Sequence, residues 1–487
     1  MLVSISIFAM LSLTGCKDPT SIFFKQSKLK EDAVLCANYS WYKGKTEKSE
    51  ITKIEIYNSY STKGKPIKEG WLADINNVGG VVCYILKNEP TLIIAGNGTG
   101  KITCNEDSRG LFSGEEYQSC FYNVKSITGL DILDTIKVKS MAFAFNYCSS
   151  LGGELDLSSW DLSQVVSARA MFQCAGQSAK TKLNIKLPSS LRVYDDFMFN
   201  HNTTHSGSTF TISKNIVKIG YMHMWYNFGN KINKSENGGD LILNTSYAVE
   251  NPLFNEFIVE SENKYFKANN GILYDINGTR LIAIPSGKTF ENKVFEIPEG
   301  VTHLNELSFS RTRQIESVIL PNSYEIILDF TPENYSNYTI NYGNSLNVAI
   351  YSFTTIGSYL VKQDNPNYIS YNGCIYSKDG STLLAVPSSY KGSDFGNILH
   401  IKEGTQVINK YAFWGETFVK TAETDGYGFS ATKIIIPASV TEIDEEQIYT
   451  LNERLLKADN NGNYLVTIEI DSSNPNYKVE NNQIVKL

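Results

Sequence analysis

The chain has 487 residues, 42% hydrophobic, 20% charged and 12% aromatic, which is a globular composition on a length greater than one hydrophobic core usually reaches. It should hold several domains or a repeat array that lengthens its core. Its formal charge of -7, from 44 basic and 51 acidic side chains spread along the chain, supplies no basic stripe for a phosphate backbone and excludes nucleic acid as an expected partner.

At the N-terminus, "MLVSISIFAMLSLTGC" is an apolar run too short to span a bilayer. Its end, Leu13-Thr14-Gly15-Cys16, resembles the lipobox of bacterial lipoproteins. That resemblance implies that residues 1–16 are a lipoprotein signal and that Cys16 becomes the lipidated first residue, with acyl chains that anchor the protein stably to a membrane. Without it, the run reads as a buried N-terminal strand or helix. Residues 17–90 follow as a spacer or small β domain, with strand-like "ITKIEIYN" (Ile51 to Asn58) and "GGVVCYILK" (Gly79 to Lys87).

"LIIAGNGTGKIT", Leu92 to Thr103, has the glycines of a phosphate loop but fails its chemistry. Ala95 stands at the first glycine position, and Ile102 stands where a hydroxyl must reach magnesium. A resemblance to bacterial surface repeat proteins implies a better role, the strand and turn that open a repeat block over residues 91–250. Within that block, "MAFAFNYCSSLGGELDLSSWDLSQVVSARAMFQC" (Met141 to Cys174) places Cys148 and Cys174 26 residues apart (174 − 148 = 26), read as one repeat. "IKLPSSLRVYDDFMF" (Ile185 to Phe199) reads as a further unit, with Asp195 and Asp196 as exposed acids between strand and core phenylalanine. His201 and His205 have helical metal-ligand spacing, but with His223 they lie among Asn, Thr, Ser and Gly that predict solvated loops. The Gly- and Asn-rich stretch near residues 229–240 reads as a loop or joint.

From residue 251 the chain writes one sentence repeatedly. "NKYFKANNGILYDINGTRLIAIP" (Asn263 to Pro285) returns as "NPNYISYNGCIYSKDGSTLLAVP" (Asn365 to Pro387) and in part as "NPNYKVENNQIV" (Asn474 to Val485). Tyr274 aligns with Tyr376 and Pro285 with Pro387, each 102 apart (376 − 274 = 387 − 285 = 102). Between the long copies, Pro298 and Pro321 are separated by 23 residues (321 − 298 = 23), the spacing of leucine-rich repeats. Phe309 and Phe413 read as core spacers, Glu299-Gly300 and Glu403-Gly404 as turns, and residues 414–432 as an insertion. One such unit buries only half a dozen aliphatic side chains, too few to offset the entropy of ordering its backbone, so the units must stack.

Residues 251–487 resemble BspA-like leucine-rich repeat surface proteins. The likeness rests on Ile297-Pro298-Glu299-Gly300-Val301, Phe309, Val318-Ile319-Leu320-Pro321, Gly271-Ile272-Leu273-Tyr274 and Leu281-Ile282-Ala283-Ile284-Pro285. Upstream, Phe145, Cys148, Leu151, Leu155-Asp156-Leu157-Ser158-Ser159-Trp160 and Met171-Phe172 resemble a related bacterial surface repeat. The resemblance implies a β-rich, right-handed leucine-rich-repeat solenoid of short strands, turns and short helical segments, preceded by a small β-containing segment. It further implies a lipid-anchored cell-surface protein, outer-membrane in location, that mediates adhesion or another contact with a protein or glycan ligand. A structural envelope or periplasmic scaffold is the alternative, and a secreted hydrolase a more remote one.

No catalytic signature, cofactor motif or metal spacing is complete, so the chain is expected not to be an enzyme and to bind no cofactor or metal. Asp459-Asn460-Asn461-Gly462-Asn463 lacks the closing Glu of a calcium loop and reads as a hairpin turn. With Cys16 lipidated, seven cysteines remain. One disulfide among Cys36, Cys83 and Cys104 is open, whereas Cys148 and Cys174 read as packed thiols. Of 29 tyrosines, those without a repeat equivalent mark the candidate binding face: Tyr147, Tyr221, Tyr226, Tyr335, Tyr338 and Tyr342.

Overall fold

The computed structural model describes residues 33–219, 255–325, 356–413 and 429–487, except 62–63, 78, 115–118, 182, 196–197, 199–208, 286, 306–307, 310–311, 313, 388, 391–396, 411 and 459–461. The chain divides into two units, Met1–Thr204 with Lys218–Gly220, and His205–Val217 with Tyr221–Leu487. Both are rich in short strands, with few helices.

The first unit contains a five-stranded sheet in the order Ile67–Leu72, Val81–Leu86, Thr91–Gly96, Lys53–Tyr57, Ser126–Thr128. Val81–Leu86 and Thr91–Gly96 pair antiparallel, and every residue in both is buried, as their unbroken apolar runs require. Lys53–Tyr57 lies parallel between Thr91–Gly96 and Ser126–Thr128. Both strand-like segments of residues 17–90 are therefore strands. The boundary read at 90/91 runs through this sheet, because Thr91–Gly96 sits at its centre.

Beyond the sheet, stacked turns join the short parallel pairs Ile102–Thr103 with Leu133–Asp134 and Gly153–Asp156 with Leu183–Lys186. Ser108, Gly110 and Phe112 donate their backbone N–H to Ser140, Ala142 and Ala144, and Met141, Phe143, Phe145 and Tyr147 donate to Ser167, Arg169, Met171 and Gln173. Inside these turns the phenyl rings pile up: Phe112 to Phe145 is 5.3 Å between centroids, and Phe145 to Phe172 is 5.4 Å. The backbone sets the period. Phe143 and Tyr147 have φ of 61° and 56°, and the same left-handed conformation recurs at Ala170 and Cys174. The repeat is thus 27 residues (170 − 143 = 174 − 147 = 27), and Cys174 occupies the place of Tyr147. The 26-residue register read from Cys148 to Cys174 is corrected by one, because it matched side-chain identity where the left-handed backbone decides equivalence.

The second unit repeats two ladder types. One is parallel: Val294–Glu296, Ser317–Leu320 and Ser358–Val361 in one sheet, Ile398–His400, Lys433–Ile436 and Thr467–Ile470 in another, and the pair Thr209–Ile212 with Glu256–Val259. The last pair spans the boundary read at 250/251, so that boundary divides a ladder. The other type is an antiparallel hairpin extended by parallel strands. Phe266–Asn269, Ile272–Asp275 and Arg280–Ala283 continue to His303–Leu304. Tyr368–Tyr371, Cys374–Ser377 and Thr382–Ala385 continue to Val407–Ile408 and Glu442–Ile443. Asn270-Gly271 and Asn372-Gly373 turn these hairpins with both φ values positive (48° and 70°, 49° and 73°), which an Asn-Gly pair adopts readily.

Proline marks where the parallel strands Val294–Glu296, Ser317–Leu320 and Lys433–Ile436 stop, because it cannot donate to the ladder and starts a turn instead. The carbonyls of Pro298, Pro321 and Pro437 accept the N–H of Val301, Tyr324 and Val440, three residues on; Pro188 with Leu191, Ser213 with Ile216 and Lys402 with Thr405 make the same bond. The accepted residue is buried every time. Pro298 and Pro321 therefore occupy equivalent places, and Ser213 reveals a unit at Thr209–Ile219 that its missing proline conceals. Phe309 and Phe413 are fully buried, as read.

Candidate functional site

Alternation along the parallel strands sends one residue to the core and the next to solvent. In Phe295-Glu296-Ile297, Val318-Ile319-Leu320, Leu399-His400-Ile401 and Ile434-Ile435-Ile436 the outer pair is buried and the middle residue is not. Register then aligns the middle residues across strands. Glu296, Ile319 and Leu360 form one outward row, and His400, Ile435 and Glu469 form another. Leu360 and its 102-residue equivalent Ile258 are 39% and 44% exposed (360 − 258 = 102), well beyond what a core aliphatic shows.

Ion pairs rim these rows. Lys362 Nζ lies 2.7 Å from Glu296 and 2.9 Å from Glu299, Lys293 Nζ is 2.8 Å from Glu316, and Lys433 pairs with Glu469. The bonds to Glu296 and then Glu299 raise the Lys362 pKa, while Lys362 lowers that of Glu299. These groups are largely exposed, so the pairs orient the rim more than they stabilise it. The result is a strip of short parallel strands on which Ile319, Leu360 and Ile435 share rows with His400 and the ion-paired Glu296 and Glu469. Such a strip can bury against a complementary surface, and its rim can exchange its pairs for hydrogen bonds to a partner.

Of the six tyrosines chosen from the sequence, Tyr147 lies among the described residues. Tyr221, Tyr226, Tyr335, Tyr338 and Tyr342 lie outside the described residues, as do Cys16, His201, His205, His223 and Asp459 to Asn461. Tyr147 is half-buried in the stacked turns, its repeat equivalent is Cys174, and its side chain hydrogen-bonds the Cys174 thiol. Asp195 is buried, not exposed: its carboxylate accepts the Ala168 N–H and the Ser167 hydroxyl, each at 3.0 Å, and ties two turns of the stack together. In the glycine-rich turn after Thr91–Gly96, the Asn97 carboxamide oxygen accepts the Thr99 N–H at 3.0 Å and its hydroxyl at 2.6 Å, which closes the turn on itself.

All seven described cysteines are free thiols, six of them buried. Burial pushes the Cys104 and Cys174 thiols up to about 12 and drives those of Cys83, Cys148 and Cys374 upward as well. Thiols held protonated in this way are poor nucleophiles and metal ligands. Among the described residues no three His, Cys, Asp or Glu side chains gather to hold a metal ion, and no helix is long and apolar enough to cross a membrane.

Sequence reasoning missed the outward rows, although their signal is the period-2 alternation just before each strand-ending turn. It also missed the role of the asparagine that opens each hairpin, visible as the recurring Asn of "NKYF" and "NPNY".

The chain matches no family model and no curated protein. Among solved structures it is similar to a leucine-rich repeat protein from Eubacterium ventriosum, at 14% identity, covering 77% of this chain and 68% of that one, with a TM-score of 0.26. It is also similar to the pneumococcal vaccine antigen PcpA, at 14% identity over 81% of this chain and 97% of that one, with a TM-score of 0.35. Both TM-scores lie below 0.5, and neither likeness carries weight for fold or function.

Proposed function

We propose that this chain is an exported, Cys16-anchored surface protein of BspA-like leucine-rich-repeat type. Its units wind as a right-handed solenoid, and its outward strand rows dock a protein or glycan surface without catalysing a reaction. The observation that carries this reading is the pair of exposed aliphatics at equivalent repeat positions, Ile258 and Leu360. A repeat under selection for folding alone has no need to return an apolar residue to solvent at the same place. An extended row of this kind suits a broad macromolecular surface better than a small molecule.

The test has two arms. Protease shaving of intact cells should remove the protein, and Cys16→Ser should release it from the membrane fraction; protection from protease would favour a periplasmic scaffold. On an array of purified surface proteins and glycans, the wild-type chain should bind above a denatured control. Leu360→Glu should weaken that binding without lowering the melting temperature. Equal binding by the variant would remove the outward row from the account.

A further inference from the structure

Residues 34–48 cover the upstream side of the turn stack and start as one more turn of it. Val34 pairs parallel with Thr103, and Asn38 donates its N–H to the Asp107 carbonyl at 2.9 Å, both at a separation of 69 (103 − 34 = 107 − 38 = 69). Past Asn38, side chains replace the backbone. In the next turn of the stack the Ala144 carbonyl accepts the Phe112 N–H, and the Asn146 carbonyl accepts the Ser113 hydroxyl. The equivalent carbonyls one turn back are those of Leu111 and Ser113 (144 − 111 = 146 − 113 = 33). They accept the Trp41 indole N–H at 2.9 Å and the Lys48 ammonium at 2.8 Å. An indole or an ammonium fills a carbonyl but continues no backbone ladder, so the stack closes at this segment.

Two further observations tie this segment to the stack. Gly110, Phe143 and Ala170 hold the same left-handed position in three successive turns, with φ of 60°, 61° and 52°. The later two carry side chains there, whereas a Cβ on Gly110 would run into the Tyr39 ring. Glycine at 110 therefore makes room for that ring. Lys48 Nζ, besides its bond to Ser113, lies 5.8, 5.3 and 5.2 Å from the ring centroids of Tyr39, Tyr42 and Phe121, all within cation–π reach. Tyr39 and Tyr42 belong to the segment, Phe121 and Ser113 to the stack, so one half-buried lysine fastens the two together.

We propose that residues 34–48 are a latch that closes the end of the turn stack, with the Lys48 ammonium as its bolt. While the ammonium is seated among the three rings, the carbonyls of Asp107, Leu111 and Ser113 are filled and the first turn is shut. When it is withdrawn, residues 38–48 come away as a local unit, ahead of any opening deeper in the stack, and those carbonyls face water.

The test is hydrogen exchange resolved to single amides in the full-length chain. Lys48→Met keeps an apolar stem and removes the charge and the donor. It should speed exchange of the Asn38 amide about two- to thirty-fold, the worth of a partly desolvated cation–π contact. The Phe145 amide, one turn further into the stack, should keep its wild-type rate. In Lys48→Ala, n-butylammonium should slow Asn38 exchange again, and sodium at the same concentration should not, because the rings select an organic ammonium. Gly110→Ala probes the Tyr39 ring without touching Lys48. It should speed the Asn38 amide far more in the wild-type background than in Tyr39→Ala, where only the backbone strain of the substitution remains. Unchanged Asn38 exchange in Lys48→Met overturns the latch. So does an equal acceleration at Phe145, or a slowing by butylammonium that sodium reproduces. If Lys48→Met does not fold, the Gly110→Ala comparison decides alone, and equal acceleration with and without the Tyr39 ring overturns the proposal.

Discussion

Asn365 donates its side-chain N–H to the carbonyl of Pro321 at 2.8 Å, while its carboxamide oxygen receives the N–H groups of Asn367 and Tyr368 at 2.9 Å each. One buried amide thus fastens the start of a hairpin to the turn that ends the previous ladder. Asn474 does the same to Pro437 and Val440, and Asn263 does it to Ser213 and Ile216. This is how one folding unit is registered against the next, and it explains why a polar residue recurs at a position with no solvent exposure.

Replacing that amide should be costly. Asn365→Ala breaks three bonds and leaves the Pro321 carbonyl with the Tyr324 N–H alone, so it should lower stability by about 2–4 kcal/mol. Asn365→Asp should not rescue it, because a carboxylate cannot donate to Pro321 and would bury a charge. Urea unfolding of the three proteins checks both statements; near-wild-type stability of either variant would remove the lock from the account.

The phenyl stack makes a second prediction. Phe145 lies between Phe112 and Phe172 and is fully buried, so Phe145→Ala should cost about 3–5 kcal/mol and loosen both neighbours. Phe145→Leu should cost less, because it retains most of the volume. The midpoint of chemical unfolding, read by near-ultraviolet circular dichroism, distinguishes the two.

Acid stability should report Asp379. Its carboxylate accepts the Ser377 hydroxyl at 2.6 Å, the Ser381 N–H at 3.0 Å and the Ser381 hydroxyl at 2.8 Å. These bonds, led by that from Ser377, lower its pKa from 3.8 to about 2. A pKa depressed by folding stabilises the native state above the unfolded value and loses that contribution as pH falls through the folded one. Asp379→Asn should therefore flatten the decline of stability between pH 3.8 and about 2 and leave the slope above that window unchanged. The group is exposed, so the effect is small, and melting curves at closely spaced pH values are the measurement.

Thiol labelling should separate Cys36 from the other described cysteines. Cys36 alone among them is not fully enclosed; burial raises its pKa, opposed by the charge of Lys43. An alkylating reagent should mark Cys36 in the native protein, whereas Cys83, Cys104, Cys120, Cys148, Cys174 and Cys374 should react only after denaturant is added. Peptide mapping by mass spectrometry reads the order. Early labelling of Cys148 or Cys174 would mean that the stacked turns open readily.

The hairpins were legible because their turns are chemical: Asn270-Gly271 and Asn372-Gly373 take positive φ on both residues, and few other pairs do so cheaply. The strand ends were legible where a proline stands and hidden where Ser213 replaces it, since any residue can make the turn bond that Pro298 and Pro321 make. The turn-based stack was misread by one residue because cysteines were matched in place of backbone conformations. Tyr147 was singled out for having no counterpart in sequence, yet its counterpart is a cysteine with the same φ.

What the sequence by itself determined is local and periodic: the 23-residue spacing of Pro298 and Pro321, the copied hairpins, and the alternation that sorts each strand into buried and outward residues. These follow from bonds and sterics within a few residues, so they survive without knowledge of the fold. Only the tertiary structure decided which outward residues share a row, that Asp195 and Asn365 reach across repeats, and that Asn452 bonds both backbone groups of Ile484. Each of these depends on residues at least 23 positions apart (319 − 296 = 23) meeting in space, and no short-range propensity encodes such a meeting.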